Sequence, residues 1–312
     1  MTLNLSPSWW CEEITFIDPS GIEYVLTSQD DHAALEGIAG RGMPPIRISD
    51  EIVPMTPGAR LRDLQHGVRD VAVPIAFYDD DLVAVRAALR GVMRTFDPRR
   101  GDGTLRVLTV DGIERDLTCR YQGGFEIVEA PPDRGISPTQ AAQRGVLVFR
   151  AFDPYWYDVE AFTEEFTLGA AGGSFFPIPN PTTGSFITLT ASEVFTTVTI
   201  DLDTDLDDWN WPVWTITGPG SAIVLRNLTT GDDIDLTANG GLTLDDGEVA
   251  TLDLRPGVKT LMLADGTNLY PYLTNASVLW PLGPTQQVQI EMTGATVDTL
   301  VELSVNPAHL SV

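Results

Sequence analysis

Trp211-Pro-Val-Trp-Thr-Ile-Thr-Gly-Pro-Gly220 is the stretch that decides the fold of its half of the chain. Val213–Thr217 reads as a short strand, and Gly-Pro-Gly ends it in a tight turn. The same grammar returns in Leu225-Arg-Asn-Leu-Thr-Thr-Gly231, Asp253-Leu-Arg-Pro-Gly-Val-Lys259 and Asp265-Gly-Thr-Asn268. Working outward, strands are predicted at Thr197–Leu202, Val213–Thr217, Ala222–Leu228, Glu248–Leu254, Val258–Leu263, Gln287–Met292 and Leu300–Val305. Short strands about eight to twelve residues apart, with turn residues between them and no helical period, predict an antiparallel β-sandwich or jelly roll.

Upstream, Gly169-Ala-Ala-Gly-Gly-Ser-Phe-Phe-Pro-Ile-Pro-Asn-Pro-Thr-Thr-Gly-Ser185 has the composition of a linker or long arm. The predicted organisation is a first domain over 1–157, a Gly/Pro-rich linker over 158–185 and the sandwich over 186–312.

The first domain is predicted to be mostly sheet. Ile14–Ile17 and Ile22–Leu26 flank the turn Asp18-Pro-Ser-Gly21. Val71, Val73, Ile75 and Phe77 alternate as a half-buried strand. Leu105–Val110 and Ile113–Tyr121 form a hairpin around Asp111-Gly112, and Gly145–Phe152 is a further strand. One helix, about 80–96, carries Leu82, Val85, Leu89, Val92, Met93 and Phe96 on one face. Asp79, Asp80 and Asp81 stand at its start and Arg90, Arg94, Arg99 and Arg100 near its end, the order the helix dipole favours. Arg86, Arg90 and Arg94 form an i,i+4 ladder on its polar side. Residues 36–67, with Gly42-Met-Pro-Pro45 and Pro54-Met-Thr-Pro-Gly58, predict a long irregular loop of a size that often carries function or wraps a neighbour.

Length, 312 residues, and a hydrophobic fraction of 43% suit two domains with buried cores. Net charge is −25, spread unevenly: −7 over 1–157, which holds sixteen arginines, and −18 over 158–312, which holds Arg226, Arg255 and Lys259. So acidic a surface repels nucleic acid and anionic lipid, because phosphate binding needs Lys and Arg to displace counterions. The opening Met1–Trp10 lacks the basic start and apolar run of a signal peptide, and no segment is long and apolar enough to span a membrane. Exit from a cell inside a released particle is consistent with both.

Chemistry-bearing residues are sparse. Asp201, Asp203, Asp205, Asp207 and Asp208 offer oxygens at calcium-like density but lack the Gly and distal Glu of an EF-hand, so a charged loop is the better reading. His32, His66 and His309 have no partner at metal-ligand spacing. Cys11 and Cys119 make no disulfide framework. Gly101-Asp-Gly103 and Gly169–Gly173 lack the Lys-Ser/Thr of a phosphate loop. Trp209, Trp211, Trp214 and Trp280 suit a sandwich core or interface, with sugar stacking as the alternative. The sequence predicts no catalytic, cofactor-binding or metal residue and no cofactor.

In order and spacing these motifs resemble the distal tail proteins of long-tailed, non-contractile bacteriophages. The resemblance spans nearly the whole chain. It is carried by Gly21-Ile-Glu-Tyr24, Pro57-Gly58, Gly67-Val-Arg-Asp-Val-Ala-Val-Pro-Ile75, Phe96-Asp-Pro98, Leu105-Arg-Val107 and Arg115-Asp-Leu-Thr-Cys-Arg-Tyr121. Phe152-Asp-Pro-Tyr-Trp156, Phe175-Phe-Pro-Ile178 and the stretches quoted first complete it. At Asp201–Asn210 an Asp-rich segment replaces the turn that such proteins tend to carry before Trp-Pro.

The resemblance implies a ring-forming belt domain, hexameric in its self-assembly, and a galectin-like sandwich. It implies a non-enzymatic hub in the virion tail tip that joins the tail tube protein to a tail-associated tip protein. In some phages the hub also meets receptor-binding proteins, and DNA passes through it. The alternative is a carbohydrate-binding tail module whose sandwich holds host-surface glycans through exposed Trp. An enzyme cleaving cell-wall glycan ranks third.

Overall fold

The computed structural model describes residues 12–27, 32–34, 37–52, 55, 57–79, 82–125, 141–167, 178–179, 186–187, 193–202 and 210–312. The fold is mainly β, with antiparallel sheets and one α-helix among the described residues. It divides into two compact units, Met1–Val159 with Ala308–Val312, and Glu160–Pro307.

In the first unit the strand order is Glu23–Val25, Glu13–Ile17, Gly103–Leu108, Glu114–Gly123, Ala141–Ala151, Arg69–Asp79 and His32–Ala34. Arg69–Asp79 alternates strictly, burying Val71, Val73, Ile75 and Phe77, as its period of two requires. The predicted hairpins pair as expected, Thr15 opposite Val25 and Leu105 opposite Leu117. At the second turn Gly112 takes φ 84, and its N–H bonds the Thr109 carbonyl at 3.0 Å.

The helix, Leu82–Thr95, buries Val85, Leu89 and Val92, and Phe96 follows on the same face. Phe96 meets Phe16 at 4.7 Å and Phe149 at 5.4 Å between ring centroids, pinning the helix end to the sheet. Met93, placed on the buried face from the sequence, is instead exposed. Met93 lies about 100° around the helix from Val92, on the solvent edge of the stripe next to Leu89. Asp80, Asp81 and the side chain of Leu82 lie outside the described residues.

The stretch 36–67, expected to be irregular, contains a two-stranded ribbon, Ile46–Glu51 against Arg60–His66. Its Gly/Pro clusters are its boundaries: Pro44-Pro45 precedes it, and Pro57-Gly58 leads into the return strand.

The second unit is a sandwich. One sheet runs Phe162–Thr167, Leu300–Val305, Val213–Thr217, Val249–Asp253, Thr260–Leu263. The other runs Glu193–Asp201, Thr285–Thr293, Gly220–Asn227, Asp232–Asp235, with Thr243–Leu244 beside the third. Trp214, Ile216, Leu252 and Leu303 from the first meet Ile223, Leu225, Ile290 and Met292 from the second in one buried core.

The units differ from the expected segments at two points. Phe162–Thr167, read as linker, is an edge strand paired with Leu300–Val305. With two apolar residues in six, and Phe166 buried, it carries too little pattern to announce itself. Ala308–His309, read as the end of the sandwich, pairs with Trp156–Asp158 in the first unit. Most of Gly169–Ser185 lies outside the described residues, apart from Ile178–Pro179, which pairs with Phe186–Ile187.

Candidate functional site

The three histidines and Cys119 are spent on architecture. His32 stacks on Tyr24 and its Nε2 lies 2.7 Å from the Val25 carbonyl. His66 Nδ1 meets the Tyr155 hydroxyl at 2.8 Å, and His309 Nε2 lies 3.0 Å from Asp158 Oδ1. The three histidines are thus taken up separately, each with a local partner. Burial pushes the Cys119 thiol up to about 12, leaving it protonated and unreactive at neutral pH. Cys11, Asp203, Asp205, Asp207, Asp208, Trp209 and Gly169–Gly173 lie outside the described residues. Asp201 is described, and accepts a hydrogen bond from Thr285 Oγ1 at 3.1 Å. Among the described residues no group of three or more His, Cys, Asp or Glu could hold a metal ion.

The tryptophans divide by burial. Trp214 and Trp280 are fully buried and meet edge to face at 5.8 Å. Trp211 is half-buried against the same core, and Lys259 Nζ sits 5.3 Å above its ring. The ring face a sugar would use is therefore already taken by a cation.

Electrostatics separate the units. Arg226 grips Glu291, Nε to Oε1 at 2.8 Å, and lies 3.3 Å from Asp233. Arg255 forks Asp253 at 2.6 Å. Burial works against the Asp253 carboxylate, but the Arg255 bonds outweigh it and hold the carboxyl below its usual range. With Lys259 on Trp211, all three basic side chains of residues 158–312 are engaged locally. In the first unit Arg106 pairs with Asp116 at 2.8 Å, Arg150 with Asp70 at 2.7 Å and Arg120 with Asp102 at 2.7 Å. Arg86, Arg90 and Arg94 are exposed, and among the described residues none of them enters an ion pair.

The feature sequence reasoning missed is the ribbon. Every residue from Ile46 to Gln65 in its strands is exposed, including Ile46, Ile48, Leu61 and Leu64. Its base is anchored by His66 on Tyr155 and by the Gly67 N–H on the Pro45 carbonyl at 2.6 Å. Ile46-Arg-Ile48 facing Arg60-Leu-Arg-Asp-Leu64 across a Pro-Gly turn is the signal that points to it.

No family model matches the chain, and no curated protein matches it. Solved structures do. The structure of the SPP1 Dit protein, described as a paradigm of the hub adsorption apparatus in phages infecting Gram-positive bacteria, superposes with a TM-score of 0.64 at 13% identity. That match covers 95% of this chain and 99% of the other. A chain of the phage P2 baseplate in its activated conformation with Ca matches with a TM-score of 0.53 at 11% identity, covering 96% and 99%. The same baseplate with Sr gives 0.52 at 10% identity, with the same coverage. Along nearly its whole length, both units included, the chain has the fold of a phage tail hub protein.

Proposed function

We propose that this chain is a distal tail hub: a structural ring, hexameric, at the tip of a long non-contractile phage tail. It joins the tail tube protein to the tail-associated tip protein, offers a seat to receptor-binding proteins, and leaves a passage for DNA. The observation that carries the reading is the end-to-end likeness to the SPP1 Dit hub protein, which takes in both units rather than one common sandwich. The belt, 1–157, forms the ring, and the sandwich projects from it. The second unit, with Arg226 and Arg255 paired to its own acids and Lys259 on Trp211, repels further copies of itself, so the ring contact falls to the first unit. Function then resides in geometry and docking surfaces, without catalysis or cofactor.

Among the described residues, Trp211, Trp214 and Trp280 lend glycan binding no support, since two are core and Trp211 lies under Lys259. Negative-stain images of the purified chain should show closed rings with a central opening. Gold-labelled antibody should mark the tail tip of the virion. Label on the capsid or along the tube would overturn the reading.

A further inference from the structure

An isolated two-stranded ribbon is at best marginal in water, and this one is exposed on both faces. One of those faces is apolar. Ile48 stands opposite Leu64, and Ile46 and Asp50 lie two residues to either side of Ile48, on the same face. A bulge between Ser49 and Asp50 brings Leu61 opposite Asp50. Without that bulge Leu61, three residues from Leu64, would point the other way. The bulge therefore completes a stripe of Ile46, Ile48, Leu61 and Leu64 around one acid. These four side chains are 42%, 65%, 59% and 50% exposed, far above what a single scattered apolar residue needs explained.

The outer face of the helix is its complement. Val83, Arg86, Arg90, Met93 and Arg94 are exposed and fall within one arc, which begins at Met93 beside the buried Leu89 and turns away from Val85 and Val92. Like charges at i,i+4 destabilise a helix, and a facing carboxylate offsets that repulsion. The lengths also agree: fourteen helical residues span about 21 Å and the six- and seven-residue strands about 20 to 24 Å.

We propose that the ribbon of one copy docks by its Ile46, Ile48, Leu61, Leu64 face onto the Val83–Arg94 face of the helix in the next copy, with Asp50 set among the arginines. This rests on the hub reading and names its ring contact. The occupant is a second copy because both halves of the contact are on this chain and match in apolar content, charge sign and length. The ribbon also carries as many arginines, Arg47, Arg60 and Arg62, as acids, Asp50, Glu51 and Asp63. It can therefore approach a chain of net charge −25 without the repulsion any other acidic surface would meet. Donor and acceptor faces do not overlap, so the contact is head-to-tail and repeats until it closes.

Two full-length double variants test it by light scattering and sedimentation: Ile48→Asp with Leu64→Asp, and Arg86→Glu with Arg90→Glu. All four positions are exposed, so each variant should keep the parent's circular dichroism and melting temperature. Each alone should be monomeric where the parent is oligomeric, with self-association weakened at least about tenfold. Mixed one to one, they should form a dimer and nothing larger, because one intact ribbon then meets one intact helix and the remaining ends are blocked. Either variant keeping the parent's oligomer, a mixture that stays monomeric, or a parent monomeric at all concentrations overturns the contact. Antibody label at the tail tip is a separate result and would leave the hub reading standing.

Discussion

Arg69 and Leu310, 241 residues apart in sequence, are joined by a hydrogen bond of 2.6 Å from the guanidinium Nη2 to the carbonyl oxygen. The same buried guanidinium bonds the carbonyls of Pro154 at 2.7 Å, Gly40 at 2.8 Å and Gly42 at 2.5 Å, and lies 5.8 Å from the Trp156 ring. No carboxylate takes part in that set. Four carbonyl dipoles hold the charge, and although burial pushes its pKa down to about 10, it stays protonated at neutral pH. One side chain thus ties the start of a central strand, the approach to the ribbon and the returning tail.

Arg69→Met should therefore cost the first unit about 3 kcal/mol, because it strands the buried Pro154 carbonyl and removes three further charge-assisted bonds, to Gly40, Gly42 and Leu310. Denaturant melts following Trp156 would register the loss, while melts following Trp214 and Trp280 should stay unchanged. A uniform drop across both signals would mean the units do not unfold separately.

Gly40 adds a second constraint at that junction. Its φ is +90°, and a Cβ there would lie 2.0 Å from the Asp70 carbonyl oxygen. Gly40→Ala should destabilise by at least about 2 kcal/mol, since backbone, not a movable side chain, is in the way. Gly21→Ala, also at positive φ but with nothing within 4 Å, is the control and should cost about 1 kcal/mol.

In the sandwich, Trp280→Ala should cost about 3–5 kcal/mol, the range for emptying a buried aromatic site. Trp280→Phe should be far milder, because the indole Nε1 it removes is buried and has no hydrogen-bond partner among the described residues. Equal losses from the two substitutions would mean that the indole nitrogen is satisfied after all.

Acid should unfold the protein late. Asp18, Asp70, Asp97, Asp111, Asp253 and Asp265 are all held below the ordinary carboxylate range, Asp97 at about 2 through its bonds from Arg99. Folded values below unfolded ones mean the unfolded chain binds more protons, so this stabilisation is intact above about pH 4 and lost toward pH 2. Melting temperature should hold from pH 7 to about pH 5 and fall below about pH 4; a steady decline from pH 7 would contradict the sign.

A fragment Glu160–Pro307 should fold alone into an all-β, monomeric domain, since its core draws on no residue outside that range. Met1–Val159 alone lacks Ala308–Val312, and a peptide of that sequence added in trans should raise its melting temperature. No effect of the peptide would show the tail strand to be dispensable.

The sequence by itself determined the secondary structure wherever burial followed a period. Val213–Thr217 and Leu300–Val305 are strands over the predicted residues, because alternating apolar side chains, turn-bounded, have one way to bury. The helix was legible from Val85, Leu89 and Val92. Tertiary structure alone decided the rest. That Leu61 joins Ile46, Ile48 and Leu64 on one face of the ribbon depends on a bulge, a property of two strands in register. That Arg69 is buried and Met93 exposed depends on which neighbours fold over them, not on their own chemistry. Ala308–His309 joins the first unit because Trp156–Asp158 offers it a free edge, and the partner that supplies those hydrogen bonds lies some 150 residues away in the chain.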